Sequence, residues 1–228
     1  MNNGIKAGYL YLESFNSAQF NDIKSHFAAF KREGIHDLVL DLRYNSGGVM
    51  TKASTLASLI AGQELEGKTF IRWEYAPKNE DRDSEYKFER LPESLHTRRL
   101  VVLITDETCS ASETIINGLR PHIPVYTVGS TTCGKPYGMD GIEFGAKTLY
   151  PVTARVVNNR GEGYYTTGIR ADFKAKDDLT HPLGNPQEGM LKKALEVLEK
   201  EPDRNRSVYI RDYAADLQVD TFGGIFVR

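Results

Sequence analysis

Leu100-Val101-Val102-Leu103-Ile104-Thr105-Asp106-Glu107-Thr108-Cys109-Ser110-Ala111-Ser112-Glu113 is the stretch whose reading sets the fold. The apolar residues from Leu100 to Ile104 predict a buried strand, and those after Ser110 continue as a helix. The same strand–turn–helix rhythm runs earlier in the chain. Leu38-Val39-Leu40 reads as a buried strand, Asn45-Ser46-Gly47-Gly48 as a turn, and Met50 to Ala61 as a helix stopped by Gly62. Another apolar run, Val125-Tyr126-Thr127-Val128, leads into Thr132-Cys133-Gly134-Lys135-Pro136. Strands alternating with helices in this way imply an α/β core with some parallel pairing.

Outward from this core, Phe20, Ile23, Phe27 and Phe30 recur at helical spacing and predict an amphipathic helix over Asn16 to Lys31. Asn16 and Gln19 are placed as a capping box at its start, and Gly34 supplies its stop. Residues 63 to 98 break the rhythm. Thr69 to Tyr75 alternates like a strand, Lys78 to Glu85 is a charged loop, and Tyr86-Lys87-Phe88 returns as a strand, so an exposed β-hairpin excursion is expected. Residues 141 to 173 read as further strands and loops, and Leu191, Ala194, Leu195 and Leu198 mark a closing helix. One domain is expected over 1–200. The tail, 201–228, has no assigned role, with Ser207 to Tyr213 and Phe222 to Val227 as candidate short strands.

The chain has 228 residues, 40% hydrophobic and 26% charged, the balance of one globular domain or one with a small appendage. A formal net charge of −2 argues against nucleic acid or an anionic membrane as partner. No apolar stretch reaches the roughly 20 residues that span a bilayer, and Met1-Asn2-Asn3-Gly4 is too polar to open a signal peptide. Two cysteines are too few for a disulfide scaffold or a zinc site. Cys109 precedes Ser110 and Cys133 lies two residues before Lys135; the reading favours two free, semi-buried thiols over a disulfide.

Ser110 on a strand-to-helix turn and Lys135 one unit later could meet at one edge of a sheet. There a lysine can serve as base to a serine, which is a poor nucleophile until a neighbour takes its proton. A lysine does this only when neutral, against an ordinary pKa of about 10.4. The residues around it, Thr131, Thr132, Cys133, Gly134, Pro136, Tyr137, Gly138 and Met139, are uncharged, and burial away from carboxylates disfavours the ammonium. The Asn45-Ser46-Gly47-Gly48 turn sits between a strand and a helix, where free backbone N–H groups collect.

These segments resemble the S41 serine peptidases, the C-terminal processing or tail-specific proteases. The resemblance covers roughly residues 8 to 198. Gly8 to Phe15 looks like the strand that opens that family's catalytic core. Leu40-Asp41-Leu42-Arg43-Tyr44-Asn45-Ser46-Gly47-Gly48 looks like its Asp-Leu-Arg turn, and Cys109 to Glu113 with Gly134-Lys135 like its nucleophile and lysine segments. Gly168-Ile169-Arg170-Ala171-Asp172 resembles a late segment, with Ala171 in place of proline. The resemblance implies a crotonase/ClpP-like mixed sheet core with flanking helices. It implies a serine endopeptidase with Ser110 as nucleophile, Lys135 as general base, and an oxyanion hole from the N–H groups of Gly47 or Gly48 and Ala111. Protein or peptide substrates, no cofactor, no metal, and a periplasmic or cell-envelope location are implied as well.

Two departures stand out. Many relatives carry glutamine four residues after the lysine, where this chain has Met139, a weak acceptor. A PDZ-type domain usually precedes the core; nothing before Gly8 could form it, so a trimmed chain is expected. The alternative reading is a catalytically weak or inactive module binding peptide ends or hydrophobic ligands on the same fold. Gly129 to Lys135 also fits a phosphate-binding loop, but Pro136 stands where a hydroxyl would hold Mg²⁺. The histidines, His26, His36, His96, His122 and His181, are scattered and form no triad motif, and no metal-ligand spacing is evident. Asp41 and Arg43 read as a structural ion pair.

Overall fold

The computed structural model describes residues 6–16, 18–201 and 225–227. Its strands are β1 (Ala7–Tyr11), β2 (Asp37–Asp41), β3 (Thr69–Tyr75), β4 (Ser84–Lys87), β5 (Arg99–Ile104), β6 (Val125–Gly129), β7 (Tyr137–Met139), β8 (Ile142–Phe144), β9 (Lys147–Leu149), β10 (Val152–Asn158), β11 (Phe173–Lys174) and β12 (Ile225–Val227). The α-helices are α1 (Ile23–Arg32), α2 (Met50–Ala61), α3 (Ala111–Leu119) and α4 (Gly189–Lys200).

A six-stranded sheet, ordered β11-β6-β5-β2-β1-β12, organises the molecule. Its strands pair in parallel except β12, which runs antiparallel to β1. Successive side chains alternate between the two faces. Leu38, Leu40, Leu100, Val102 and Ile104 pack on one side against residues of α1, α2 and α3, among them Phe27, Leu56 and Ile115. Tyr9, Val39, Val101, Leu103 and Val128 pack on the other against Met190, Leu191, Ala194, Val197 and Leu198 of α4. Burial on both faces is why these strands read as unbroken apolar runs. Each such side chain contributes about 1.5–3 kcal/mol relative to exposure.

The hairpin expected over residues 63–98 forms, as β3 and β4, but it is not an isolated excursion. It is half of an antiparallel four-stranded sheet ordered β4-β3-β10-β7. Phe70, Ile71, Phe88 and Val156 of this second layer join the core beneath α2 and α3. Gly118 of α3 allows the close approach: a Cβ there would sit 2.3 Å from Phe70 Cε2. A shallow cleft of about 430 Å³ crosses β3, β10 and β7, with Glu74, Tyr137 and Arg155 on its walls. The β8–β9 ribbon beyond it is exposed, with Phe144 at 82%.

Two local expectations change. The helix expected from Asn16 begins with a 3₁₀ turn over Ala18–Asp22, and the α-helix starts at Ile23 without a side-chain cap on Asp22. Asn16 instead lies against the glycine turn, where a Cβ on Gly48 would come within 2.7 Å of its Oδ1. In the tail, Ile225–Val227 pairs with β1, while Ser207 to Tyr213 lies outside the described residues.

Candidate active site

Three turns leave the C-terminal ends of the adjacent parallel strands β2, β5 and β6 and meet at one sheet edge. They carry Gly47 and Gly48, Ser110, and Lys135. Sheet order brings them together: strands consecutive in space deliver their loops to the same rim.

The first turn is anchored from below by Arg43, which is fully buried. Its Nε donates to Asp41 at 3.0 and 3.1 Å, its Nη1 to Asp177 at 2.7 Å and to Glu188 at 3.0 Å, and its Nη2 to Glu188 at 2.9 Å. Tyr9 donates its hydroxyl to Asp41 at 2.5 Å, and Tyr44 donates to Asp177. Burial pushes the Asp41 carboxyl above its ordinary range, although Arg43 and Tyr9 oppose the shift. Burial acts on Glu188 in the same sense, but hydrogen bonds from Arg43, Leu191 N–H and Met190 N–H outweigh it and hold that carboxyl low. The Asp41–Arg43 pair read from the sequence is thus part of a network reaching α4.

Asn45 folds the turn itself. Its Nδ2 donates to Leu12 O at 2.9 Å, and its Oδ1 accepts Gly47 N–H at 2.9 Å. Its carbonyl accepts Cys109 N–H at 3.1 Å and Ser112 Oγ–H at 2.9 Å, which docks the first turn on the second. Gly47 takes a φ of +103°, and a Cβ there would lie 2.9 Å from Ser110 Cβ and 3.0 Å from Ala111 N. No other residue fits that contact. Because Gly47 N–H is already donated to Asn45, Gly48 and Ala111 are left with N–H groups that have no acceptor among the described residues.

Ser110 is the only described non-glycine residue with a positive φ, at 55° with ψ −114°. Such a backbone costs about 1–3 kcal/mol and persists where its surroundings over-determine it. Here they do. Glu113, fully buried one turn into α3, accepts Ser110 N–H on Oε2 at 2.9 Å and Lys135 N–H on the same oxygen at 2.8 Å. Its Oε1 accepts Gly134 N–H at 2.8 Å and Thr132 Oγ–H at 2.5 Å. Thr108 O adds Cys133 N–H at 3.1 Å, and Ile169 holds Thr132 from behind through N–H to Oγ1 at 2.7 Å.

One carboxylate therefore seats the backbones of both residues singled out by the sequence. Glu113 stood in the quoted motif without a role; its Ser-x-x-Glu spacing was the signal that could have marked it. The side chains of Ser110 and Lys135 form no hydrogen bond with each other here. Lys135 Nζ donates to Met139 Sδ at 3.1 Å, so the thioether is the partner of the amine.

The cysteines overturn their expectation. Cys109 and Cys133 form a disulfide with Cα atoms 5.2 Å apart, because neighbouring β5 and β6 bring their turns within bridging distance. With Glu113 they also make a cluster of metal-ligand types, all ligand atoms within 4.8 Å, that no sequence spacing revealed. Both sulfurs are spent in the bridge and the carboxylate is saturated by donors, so the cluster does not fit a metal.

The rival readings fail locally. The Gly129–Lys135 segment is followed by strand β7, not by a helix whose N-terminus could face a phosphate. His122 is packed edge-on against Phe88 at 4.9 Å, its Nε2 is 3.1 Å from Thr69 O, and burial lowers its pKa. It is a half-buried group whose ring nitrogen is already engaged.

Known proteins place this arrangement. The chain is 29% identical to the carboxy-terminal processing protease CtpA of Bacillus subtilis over 74% of its own length and 35% of that protein's. It is 31% identical to a carboxyl-terminal-processing protease of Picosynechococcus over 58% of its length and 30% of that protein's. It thus spans about a third of the curated relatives it matches. A Bacteroides fragilis structure assigned to the S41 proteases superposes with a TM-score of 0.80 at 28% identity, covering 88% of this chain and 56% of that one. The tricorn protease shares the fold alone, with a TM-score of 0.52 at 15% identity over 86% of this chain and 18% of that one. The core is the mixed, ClpP-like α/β architecture. A sequence profile for peptidase family S41 matches residues 6–175, and the chain belongs to that family.

Proposed function

We propose that this domain hydrolyses peptide bonds through an acyl-enzyme on Ser110, with Lys135 as general base and then general acid. The observation that carries the reading is Glu113 Oε2, which holds the backbone N–H of both residues at once. Neutral Lys135 Nζ takes the Ser110 hydroxyl proton as Oγ attacks the scissile carbonyl. The N–H groups of Gly48 and Ala111, which lack acceptors among the described residues, receive the oxyanion, while Gly47 supplies the clearance beside Ser110. Lys135 then protonates the departing amine, and water hydrolyses the acyl-enzyme by the reverse proton path. The amine donates to Met139 Sδ at 3.1 Å, and in the reaction it turns to Ser110 Oγ; catalytic hydrogen bonds commonly tighten only in the reacting complex.

Substrates are extended protein or peptide segments, and a periplasmic or envelope setting accords with a disulfide in the site. The test is degradation of unfolded casein by the parent, Ser110→Ala and Lys135→Ala. Both variants are expected to lose at least about 10³-fold in kcat. Turnover by Ser110→Ala at the parental rate would overturn the mechanism.

A further inference from the structure

Hydrogen bonds through Glu113 and Thr108 already join the nucleophile turn to the lysine turn, so a covalent bridge is not needed to hold them together. The position of that bridge suggests a different use. Cys133 Sγ lies 3.5 Å from Glu113 Oε2, the oxygen that seats Ser110 and Lys135. In the disulfide this sulfur carries no hydrogen and donates nothing.

We propose that the Cys109–Cys133 disulfide is a redox-sensitive positioning pair that keeps a competing donor away from Glu113 Oε2. The inference rests on the Ser110–Lys135 reading. A dithiol would supply two electrons and two protons: the S–S bond breaks, each cysteine sulfur takes a proton, and the dithiol leaves as its own disulfide. Cys133 then presents an S–H to an oxygen whose lone pairs already accept two N–H groups. A third donor must displace or share one of them, and either choice loosens a catalytic backbone. Oε1 offers no relief, since Thr132 and Gly134 occupy it. Cys133 is exposed and Cys109 half-buried, so a small dithiol reaches the bridge.

The experiment measures casein turnover and the rate at which a fluorophosphonate labels Ser110. It compares the oxidised parent, the parent opened with dithiothreitol and verified by thiol titration, Cys109→Ala/Cys133→Ala and Cys109→Ala/Cys133→Ser. Opening the bridge is expected to lower kcat and labelling about tenfold with KM unchanged, and reoxidation to restore both. The double alanine variant, which has no donor, should ignore dithiothreitol and stay within about threefold of the oxidised parent. The serine variant, whose hydroxyl donates, should match the reduced parent.

Equal rates for the reduced and oxidised parent, with Ser110→Ala inactive, would overturn the proposal and leave the dyad standing. So would a double alanine variant as slow as the reduced parent, which would make the bridge a plain staple. Residual turnover in Ser110→Ala would overturn the dyad and this inference with it.

Discussion

Two buried carboxylate junctions hold the turns of the candidate site, and they are built from opposite materials. Below the glycine turn, one guanidinium is shared among Asp41, Asp177 and Glu188. Above it, Glu113 is surrounded by N–H and O–H donors, and no described ion pair involves it. The ionic junction joins elements far apart in the chain, tying the end of β2 to the start of α4. The neutral-donor junction joins turns, and its partners include the backbones of both residues that would react. Removing a charge from the first leaves other charges buried without a partner; removing the carboxylate from the second leaves dipoles unmatched. The first should therefore govern stability and the second turnover.

Arg43→Ala gives that contrast its hardest test. Breaking a buried ion network by deleting one partner costs about 3–5 kcal/mol, so Tm should fall by on the order of 10 °C. A thermal melt within a degree or two of the parent would mean that the network stores little energy.

Glu113→Gln should move the other observable. An amide keeps the shape and one acceptor, so the stability loss should stay near 1–2 kcal/mol. Turnover should fall about 10–100-fold with KM little changed, because Ser110 and Lys135 lose their shared acceptor. A variant that melts as early as Arg43→Ala while retaining its kcat would erase the distinction.

The smallest expected effect is on acid stability. Glu188 has its pKa depressed in the folded protein, so its contribution is present above the ordinary glutamate value of about 4.3 and is lost as pH falls through the folded value. Asp41 is shifted upward and contributes with the opposite sign: its stabilisation is fullest below about 3.9 and declines as pH rises towards its folded value. Urea midpoints between pH 6 and 3 should fall more steeply in the parent than in Glu188→Gln. Parallel curves would assign the acid sensitivity elsewhere.

The sequence announces what depends on local pattern. Leu38–Leu40, Leu100–Ile104 and Val125–Val128 are legible because a strand covered on both faces has no polar alternation to confuse it. Gly47, Gly48, Ser110 and Lys135 are legible as motif residues at turns. What stayed hidden depends on which strands become neighbours. The second sheet needs β10 beside β3, and no alternation in Thr69–Tyr75 names that partner. The disulfide needs β5 beside β6, and Glu113 acquires its meaning only when the 132–135 segment folds over it.

The parallel order of β2, β5 and β6 has a kinetic consequence. Parallel neighbours cannot zip from a hairpin; each pair must wait for an intervening crossover, and such non-local pairing is slow. Gly47, Ser110 and Lys135 lie in three different segments of that crossover chain. An unfinished fold would therefore hold a serine and a lysine with nothing to introduce them. The proposed hydrolytic activity would arise only as the sheet closes, when the protein's own chain is no longer an extended substrate.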